Sequence, residues 1–333
     1  MKAFLIDRYG NADRVHAGDV AVPEPGPDDV LIQIRAAGVN PLDSKIRDGE
    51  FKLLLPYRLP LVLGNELAGV VARVGSRVRR FKPGDEVYAR PDKNRIGTFA
   101  EFLAVKEDDL ASKPGNLTME EAASIPLVGL TAWQVLIEMA QLKRGQKVLI
   151  HAGSGGVGTF AIQLAKHVGA TVATTTSTSN VDFVKGLGAD IVIDYKKDRF
   201  EEVLRDCDVV LNSLDGETLK KSVRVLKPGG KLISISGPPD PDFARSFGLN
   251  WGVGLVVRLL SHGIRKSAKR QKVGYSFHFM RASGSQLQQI TTLLESGAIR
   301  PVVDRVFPFD STKEAMAYVE TGRARGKVVV RVS

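Results

Sequence analysis

From Lys147 onward the chain alternates two kinds of apolar pattern. The unbroken run Val148-Leu149-Ile150 reads as a short buried strand. After a glycine-rich turn, Val157, Phe160, Ala161, Leu164, Ala165 and Val168 recur at helical spacing. The alternation continues. Strands are expected at 147–151, 171–176, 191–195, 208–214 and 231–236, and helices at 157–168, 181–187, 199–205 and 217–226. Lys227-Pro228-Gly229-Gly230 reads as turn punctuation. Strands alternating with helices imply βαβ units and a doubly wound parallel sheet. The first hundred residues differ. Strand-like runs at 30–34, 69–74, 86–89 and 99–105 are separated by Pro- and Gly-rich turns, which predicts an irregular, mainly antiparallel β domain. The last segment, with strands at 300–303 and 327–330 around a helix at 311–321, is expected to return to that domain. The α/β chain thus divides as 1–123, 124–270 and 271–333.

The run Ala152-Gly153-Ser154-Gly155-Gly156-Val157-Gly158 carries the most specific chemistry. Gly153, Gly155 and Gly158 satisfy G-x-G-x-x-G between a strand and a helix, the arrangement that seats a dinucleotide pyrophosphate. The first glycine makes the turn, the second admits the phosphate, and the third lets helix and strand pack. The helix N-terminus then points unpaired N–H groups and the positive dipole end at the anion. A glycine turn that only packs is the alternative. Sites for NAD usually carry an acid about 20 residues on, to bind the ribose 2′-OH. Here the strand 171–176 runs into Ser177-Thr178-Ser179-Asn180, with no carboxylate. Hydroxyl donors suit a 2′-phosphate, which favours NADP(H), although these residues also suit a plain strand and exposed turn.

Composition narrows the class. Cys207 is the single cysteine among 333 residues, so neither an intrachain disulfide nor a thiolate cluster can form. Met1 to Tyr9 contains Asp7 and Arg8 and reads as a strand, not a signal peptide. No apolar run approaches the roughly 18 residues of a spanning helix, so a cytoplasmic protein is expected. The formal net charge is +10. Its densest run, Arg265, Lys266, Lys269, Arg270 and Lys272, follows an apolar stretch. Segment 252–272 can be read as a peripheral membrane contact, a nucleic-acid patch, or the solvated face of a lid or dimer helix. The last is favoured, and the lack of interleaved aromatic residues argues against nucleic acid.

Several motifs occur in a familiar order: Gly38-Val39-Asn40-Pro41, Gly64-Asn65-Glu66-Leu67-Ala68-Gly69, Gly84-Asp85-Glu86-Val87, Leu130-Thr131-Ala132-Trp133, the glycine turn, and Gly326-Lys327-Val328-Val329. Over nearly its whole length the chain resembles the medium-chain dehydrogenase/reductase superfamily, in its zinc-free quinone oxidoreductase and alkenal/enone oxidoreductase branch. The resemblance implies a GroES-like β domain plus a Rossmann domain, with the active site in the cleft between them. It also implies NADP(H) as cofactor, a quinone or enone as substrate, and a homodimer joined through the Rossmann domain. Asn40 and Asn65 stand where the zinc-dependent relatives carry metal ligands. Catalytic zinc needs three good protein ligands, so no metal is expected.

The resemblance also distributes roles. Lys45 is a cofactor contact, an electrostatic catalyst or an exposed surface lysine. Asn40 is a donor or a loop tie, and Thr131 lies at the nicotinamide. Ser177, Thr178 and Asn180 match the 2′-phosphate loop, although the branch often has lysine at the last position. Tyr195 is expected on the adenosine phosphate, and Ser236 and Gly237 under the nicotinamide. Phe279, Met280 and Arg281 reach across it, and Arg323 lies near the pyrophosphate. Two other readings stay open: an NADP-dependent alcohol dehydrogenase-like enzyme, and a non-catalytic dinucleotide- or RNA-binding relative.

Overall fold

Two sets of strands, one mostly antiparallel and one wholly parallel, organise the computed structural model, which describes residues 1–52 and 54–332. They belong to two units, one of residues Met1–Leu130 with the segment from Arg281 on, the other of Thr131–Met280.

The first unit contains β1 (Lys2–Ile6), β2 (His16–Asp19), β3 (Asp29–Val39), β4 (Leu61–Val62), β5 (Glu66–Val74), β6 (Glu86–Ala89), β7 (Phe102–Lys106) and β8 (Leu110–Ser112). The second contains β9 (Lys147–Ile150), β10 (Thr171–Thr176), β11 (Ile191–Asp194), β12 (Cys207–Asn212), β13 (Leu226–Ser234) and β14 (Gly274–Phe277). β15 (Val303–Pro308) and β16 (Lys327–Arg331) return to the first.

In the first unit β3 is the central strand. It pairs antiparallel with β5, β7 and β16. Covered on both faces, it buries Val30, Leu31, Ile32, Ile34 and Val39 and so reads as a continuous apolar run. The C-terminal strand β16 pairs with β3, with Val328 opposite Val39 and Val329 opposite Gly38. The strand expected at 300–303 instead begins at Val303 and runs to Pro308. The run expected at 99–105 forms a strand only from Phe102.

In the second unit the parallel order is β11-β10-β9-β12-β13-β14, the doubly wound order. Its core includes Leu149, Val210, Leu219, Leu232, Ile264 and Val273. Each such side chain contributes roughly 1.5–3 kcal/mol on burial. Two expectations are corrected. Lys227-Pro228-Gly229-Gly230 lies inside β13 as an irregularity. Cys207 pairs with Leu226 but Val209 pairs with Lys231, and Gly229 takes φ +83° to accommodate the surplus. The boundary at 270 also falls too early, because β14 pairs with β13 and 271–280 stays with the parallel sheet. Four residues, Gly-Tyr-Ser-Phe, carry too little periodicity to show this. Between β13 and β14 the chain forms helices Pro241–Ser246, Trp251–Leu260 and His262–Arg270. No described helix is long and apolar enough to cross a membrane.

Candidate active site

The glycine turn separates into two steric classes. A Cβ on Gly153 would meet Thr174 Oγ1 at 2.1 Å, and that hydroxyl is held by its 2.7 Å bond to the Ile150 carbonyl. A Cβ on Gly158 would meet the Ala152 carbonyl oxygen at 2.3 Å. Both positions therefore require glycine for packing. At Gly155 the nearest atom would be 3.4 Å away, an ordinary contact. The middle glycine is therefore not demanded by packing within the protein, which fits a position kept small for the close approach of a phosphate. It is also the N-cap of helix Gly156–Val168 and has no side chain to cap it. The first-turn N–H groups of Gly156, Val157 and Gly158 are those a bound anion would satisfy.

Parallel pairing of β9, β10 and β11 brings the next residues to the same end of the sheet. Asn180 donates to Ser154 Oγ and to Ser177 Oγ, both at 3.2 Å. Thr176 Oγ1 donates to Ser154 Oγ at 3.2 Å. Asn180 Oδ1 is buried with no partner among the described residues. These groups form a hydroxyl and amide shelf beside the turn.

The sequence reading missed a carboxylate here. Asp194, opposite Thr176 in the β10–β11 register, accepts from Thr178 Oγ1 at 2.6 Å and from the Lys196 backbone N–H at 3.1 Å. The Thr178 bond in particular holds its carboxyl below the usual range. Lys197 lies 3.7 Å from it. Thr178 is thus turned to Asp194, while Tyr195, Lys196 and Lys197 are exposed just beyond. Only strand register reveals this, since Asp194 comes from the third strand and not the second. His151 is a buried strand-end residue, between Thr175 Oγ1 at 3.1 Å and Ser222 Oγ at 2.9 Å, and burial pushes its imidazole down to about 4.

After β13, the buried Ser234 Oγ accepts from Asn212 Nδ2 at 3.1 Å and from the Gly237 N–H at 2.8 Å. It shapes the turn carrying Ser236, whose hydroxyl donates to the Leu214 carbonyl. Phe279 stacks edge-on against Phe247, centroids 5.7 Å apart, and Met280 is buried. Arg281 opens the segment that returns to the first unit. Thr131 is buried in helix Pro126–Trp133.

The first unit holds a buried polar cluster. Asn40 caps helix Pro41–Asp48, its N–H donating to Asp43 Oδ2 at 2.7 Å. Its side-chain amide donates to Glu66 Oε1 at 2.8 Å and to the Gly38 carbonyl at 3.4 Å. Lys327 Nζ donates to Glu66 Oε1 at 2.6 Å, to the Val39 carbonyl at 3.2 Å and to Asn40 Oδ1. Leu127 N–H occupies Glu66 Oε2 at 2.7 Å, and Asn65 donates to Asp43 Oδ1 at 2.7 Å. Burial, opposed by the two bonds it accepts, pushes the Asp43 carboxyl up to about 7. All these side chains are buried. The expected donor role of Asn40 meets a physical obstacle, because both its amide hydrogens and its oxygen are already engaged.

These residues do not fit a catalytic zinc. The oxygens of Glu66, Asn40 and Val39 already surround an ammonium. Among the described residues no three His, Cys, Asp or Glu side chains converge on one point. In the sequence Lys327 stands only as part of the closing motif, with no role of its own; the β16–β3 pairing is what puts it beside Asn40. Lys45, by contrast, is exposed on the same helix, 3.4 Å from Glu50. Arg323 is exposed in the turn before β16.

The comparisons with known proteins agree with this architecture. Residues 26–115 match the alcohol dehydrogenase GroES-like domain, and 187–330 match the family described as zinc-binding dehydrogenase. The chain is 40% identical over 342 residues to the 2-methylene-furan-3-one reductase of Solanum lycopersicum, covering 99% of this chain and 79% of the relative. It is 37% identical over 341 residues to the NADPH-dependent alkenal/one oxidoreductase, chloroplastic, of Arabidopsis thaliana, with the same coverage. A quinone oxidoreductase structure from Coxiella burnetii superposes with a TM-score of 0.88 at 30% identity, covering 100% of this chain and 99% of that one. The fold and site define an oxidoreductase of two domain types, GroES-like and Rossmann. The chain belongs to the medium-chain dehydrogenase/reductase superfamily, in its zinc-free quinone and enone oxidoreductase branch.

Proposed function

We propose that this chain is an NADPH-dependent, zinc-independent reductase of activated acceptors, quinones or α,β-unsaturated ketones and aldehydes. The observation that carries the reading is the N-terminus of helix Gly156–Val168, without a side-chain cap at Gly155 and flanked by the Ser154, Ser177 and Asn180 shelf. The helix N–H groups bind the pyrophosphate. Ser177 and Asn180, with Lys196 and Lys197 from the neighbouring strand end, hold the 2′-phosphate. Thr178 holds the ionised Asp194, and Lys197, 3.7 Å away, offsets that negative charge beside the phosphate. Tyr195 lies against the adenosine, Ser236, Gly237 and Thr131 bound the nicotinamide, and Phe279, Met280, Arg281 and Arg323 complete the cofactor contacts. Bound NADPH supplies the hydride.

Charge that develops on the acceptor oxygen needs a donor. Lys327 is enclosed, which leaves an acceptor that is already activated as the easier substrate. Asn40 acts as a positioning residue through Asp43 and Glu66. Lys45 holds the cofactor. The relatives' printed names support the acceptor class. We extend the reading to a cytoplasmic homodimer joined through the Rossmann unit, in which β14 is an edge strand. Sedimentation tests the assembly and cell fractionation the compartment.

NADPH oxidation against a panel of quinones, short enones, saturated ketones and alcohols tests the activity. Turnover of quinones or enones with undiminished rate in chelator is expected. Turnover restricted to alcohols, or lost with removal of a stoichiometric metal, overturns the reading. In Lys45→Ala, NADPH affinity should fall before kcat does. A fall in kcat of on the order of 100-fold with unchanged affinity would make Lys45 an electrostatic catalyst instead.

A further inference from the structure

We propose that the helical insertion between β13 and β14 is a docking surface for an anionic lipid bilayer. Helix Trp251–Leu260 is anchored by Val257, buried among its neighbours, yet it turns Trp251, Leu255 and Leu259 outward on one stripe and Val256 and Leu260 on the next. Trp251 is 87% exposed and Leu259 67%. Clustered large apolar side chains on a helix face are not ordinary surface; such patches mark contact sites. The following helix, His262–Arg270, is fixed by buried Ile264 and Ala268 and exposes Lys266, Lys269 and Arg270. Apolar side chains including a tryptophan, continuous with a lysine- and arginine-rich face, make up an interfacial helix.

Charge selects the occupant. From Asp242 to Glu295 the chain contains no other acidic residue, while eight Lys or Arg fall between them. Among the described residues, Arg258, Lys266, Lys269 and Arg270 have no carboxylate partner. A groove of about 530 Å³ beside the apolar stripe is lined by Leu249, Trp251 and Leu255 and also by Arg258 and Arg265. Its two carboxylates are already engaged. Asp240 accepts the Phe243 and Phe277 N–H groups, each at 2.8 Å, and Asp242 pairs with Arg245. Apolar side chains together with guanidinium groups that have no carboxylate partner suit an acyl chain ending in a phosphate headgroup. A second copy of the chain fits less well, because a two-fold contact through this segment brings two basic segments into one interface with no acidic residue between Asp242 and Glu295 to offset them.

The test uses the full chain with vesicles of phosphatidylcholine alone or doped with phosphatidylglycerol. The protein should float with the anionic vesicles only, and high salt should release it. With Trp133→Phe leaving Trp251 as the sole tryptophan, emission should shift to the blue on binding. Lys266→Ala with Lys269→Ala should lower the partition coefficient roughly thirtyfold, at about 1 kcal/mol per cation, with NADPH binding intact. Leu255→Ser with Leu259→Ser should abolish the blue shift. Absence of binding, or equal binding to both vesicles, overturns the proposal. So does a dimer that Leu259→Ser dissolves in a protein that does not bind vesicles, since the face would then belong to a second copy. If either double variant fails to fold, the lipid comparison and the Trp251 emission decide alone.

Discussion

The Lys327 cluster and the turn at Gly155 are both rich in polar groups, and they resolve them in opposite ways. Around Lys327, Asn40 and Glu66, donors and acceptors meet each other: the ammonium makes three bonds and the Asn40 amide is used in full, with only the neighbouring Asn65 Oδ1 buried without a partner among the described residues. At the glycine turn the helix N-terminus has no side-chain cap, and the middle glycine would meet only an ordinary contact if it carried a side chain. Buried polar groups are normally satisfied within the protein. The closed set therefore reads as structure, and the open set as a place where a ligand completes the bonding.

The largest way to break this comparison is to remove the central cation. Lys327→Met strands the buried Glu66 carboxylate and should cost about 3–5 kcal/mol by urea unfolding. Adding Glu66→Gln should restore much of it. Ser177→Ala, on the open shelf, should change stability by less than about 0.5 kcal/mol while weakening NADPH binding. Similar losses of stability in Lys327→Met and Ser177→Ala would erase the distinction.

The glycines sharpen it further. Gly158→Ala drives a methyl into the Ala152 carbonyl and should destabilise by roughly 1–3 kcal/mol, because backbone cannot give way. Gly155→Ala meets only an ordinary contact, so it should keep stability and lose cofactor affinity instead. Denaturation midpoints and NADPH fluorescence titrations on both variants separate the two glycines. Equal stability in the pair would refute the steric assignment.

The pH dependence of stability should show opposite signs from the two units. Burial raises Asp43 from 3.8 to about 7, so in that window the folded protein keeps a proton that the unfolded chain has lost. Stability from this group falls as pH rises, by up to about 1.4 kcal/mol per pH unit. His151 is lowered from 6.5 to about 4, so the unfolded chain takes up a proton that the folded one refuses. Its contribution falls as pH drops through that range. The two slopes oppose one another where the windows overlap. Asp43→Asn should leave stability rising with pH, and His151→Gln should leave it falling. Urea midpoints from pH 4 to 7 that run parallel in all three proteins would contradict both assignments.

The smallest expected effect concerns cofactor choice. Ser177→Asp places an acid where a ribose 2′-OH would accept it and a 2′-phosphate would not, and should move preference towards NADH by roughly tenfold. Paired titrations with NADPH and NADH check this. An unchanged ratio would move the discrimination to Lys196 and Lys197.

Much of the fold was written in local pattern. The alternation after Lys147 announces the parallel sheet, because strand and helix periodicities are properties of neighbouring residues, and Gly153, Gly155 and Gly158 mark the phosphate turn by spacing alone. The substitution of metal ligands by Asn40 and Asn65 is equally a matter of identity at a position. What local pattern cannot carry is pairing at a distance. Lys327 reaches Glu66 and Asn40 only because β16 lies antiparallel to β3. Asp194 reaches Thr178 only through the β10–β11 register, and four residues of β14 join the parallel sheet by hydrogen bonds to β13 that no periodicity forecasts. The sequence by itself determined which chemistries were available; the tertiary structure decided which polar groups satisfy one another and which stay open, because burial and hydrogen-bond partnership are set by contacts between residues far apart in the chain.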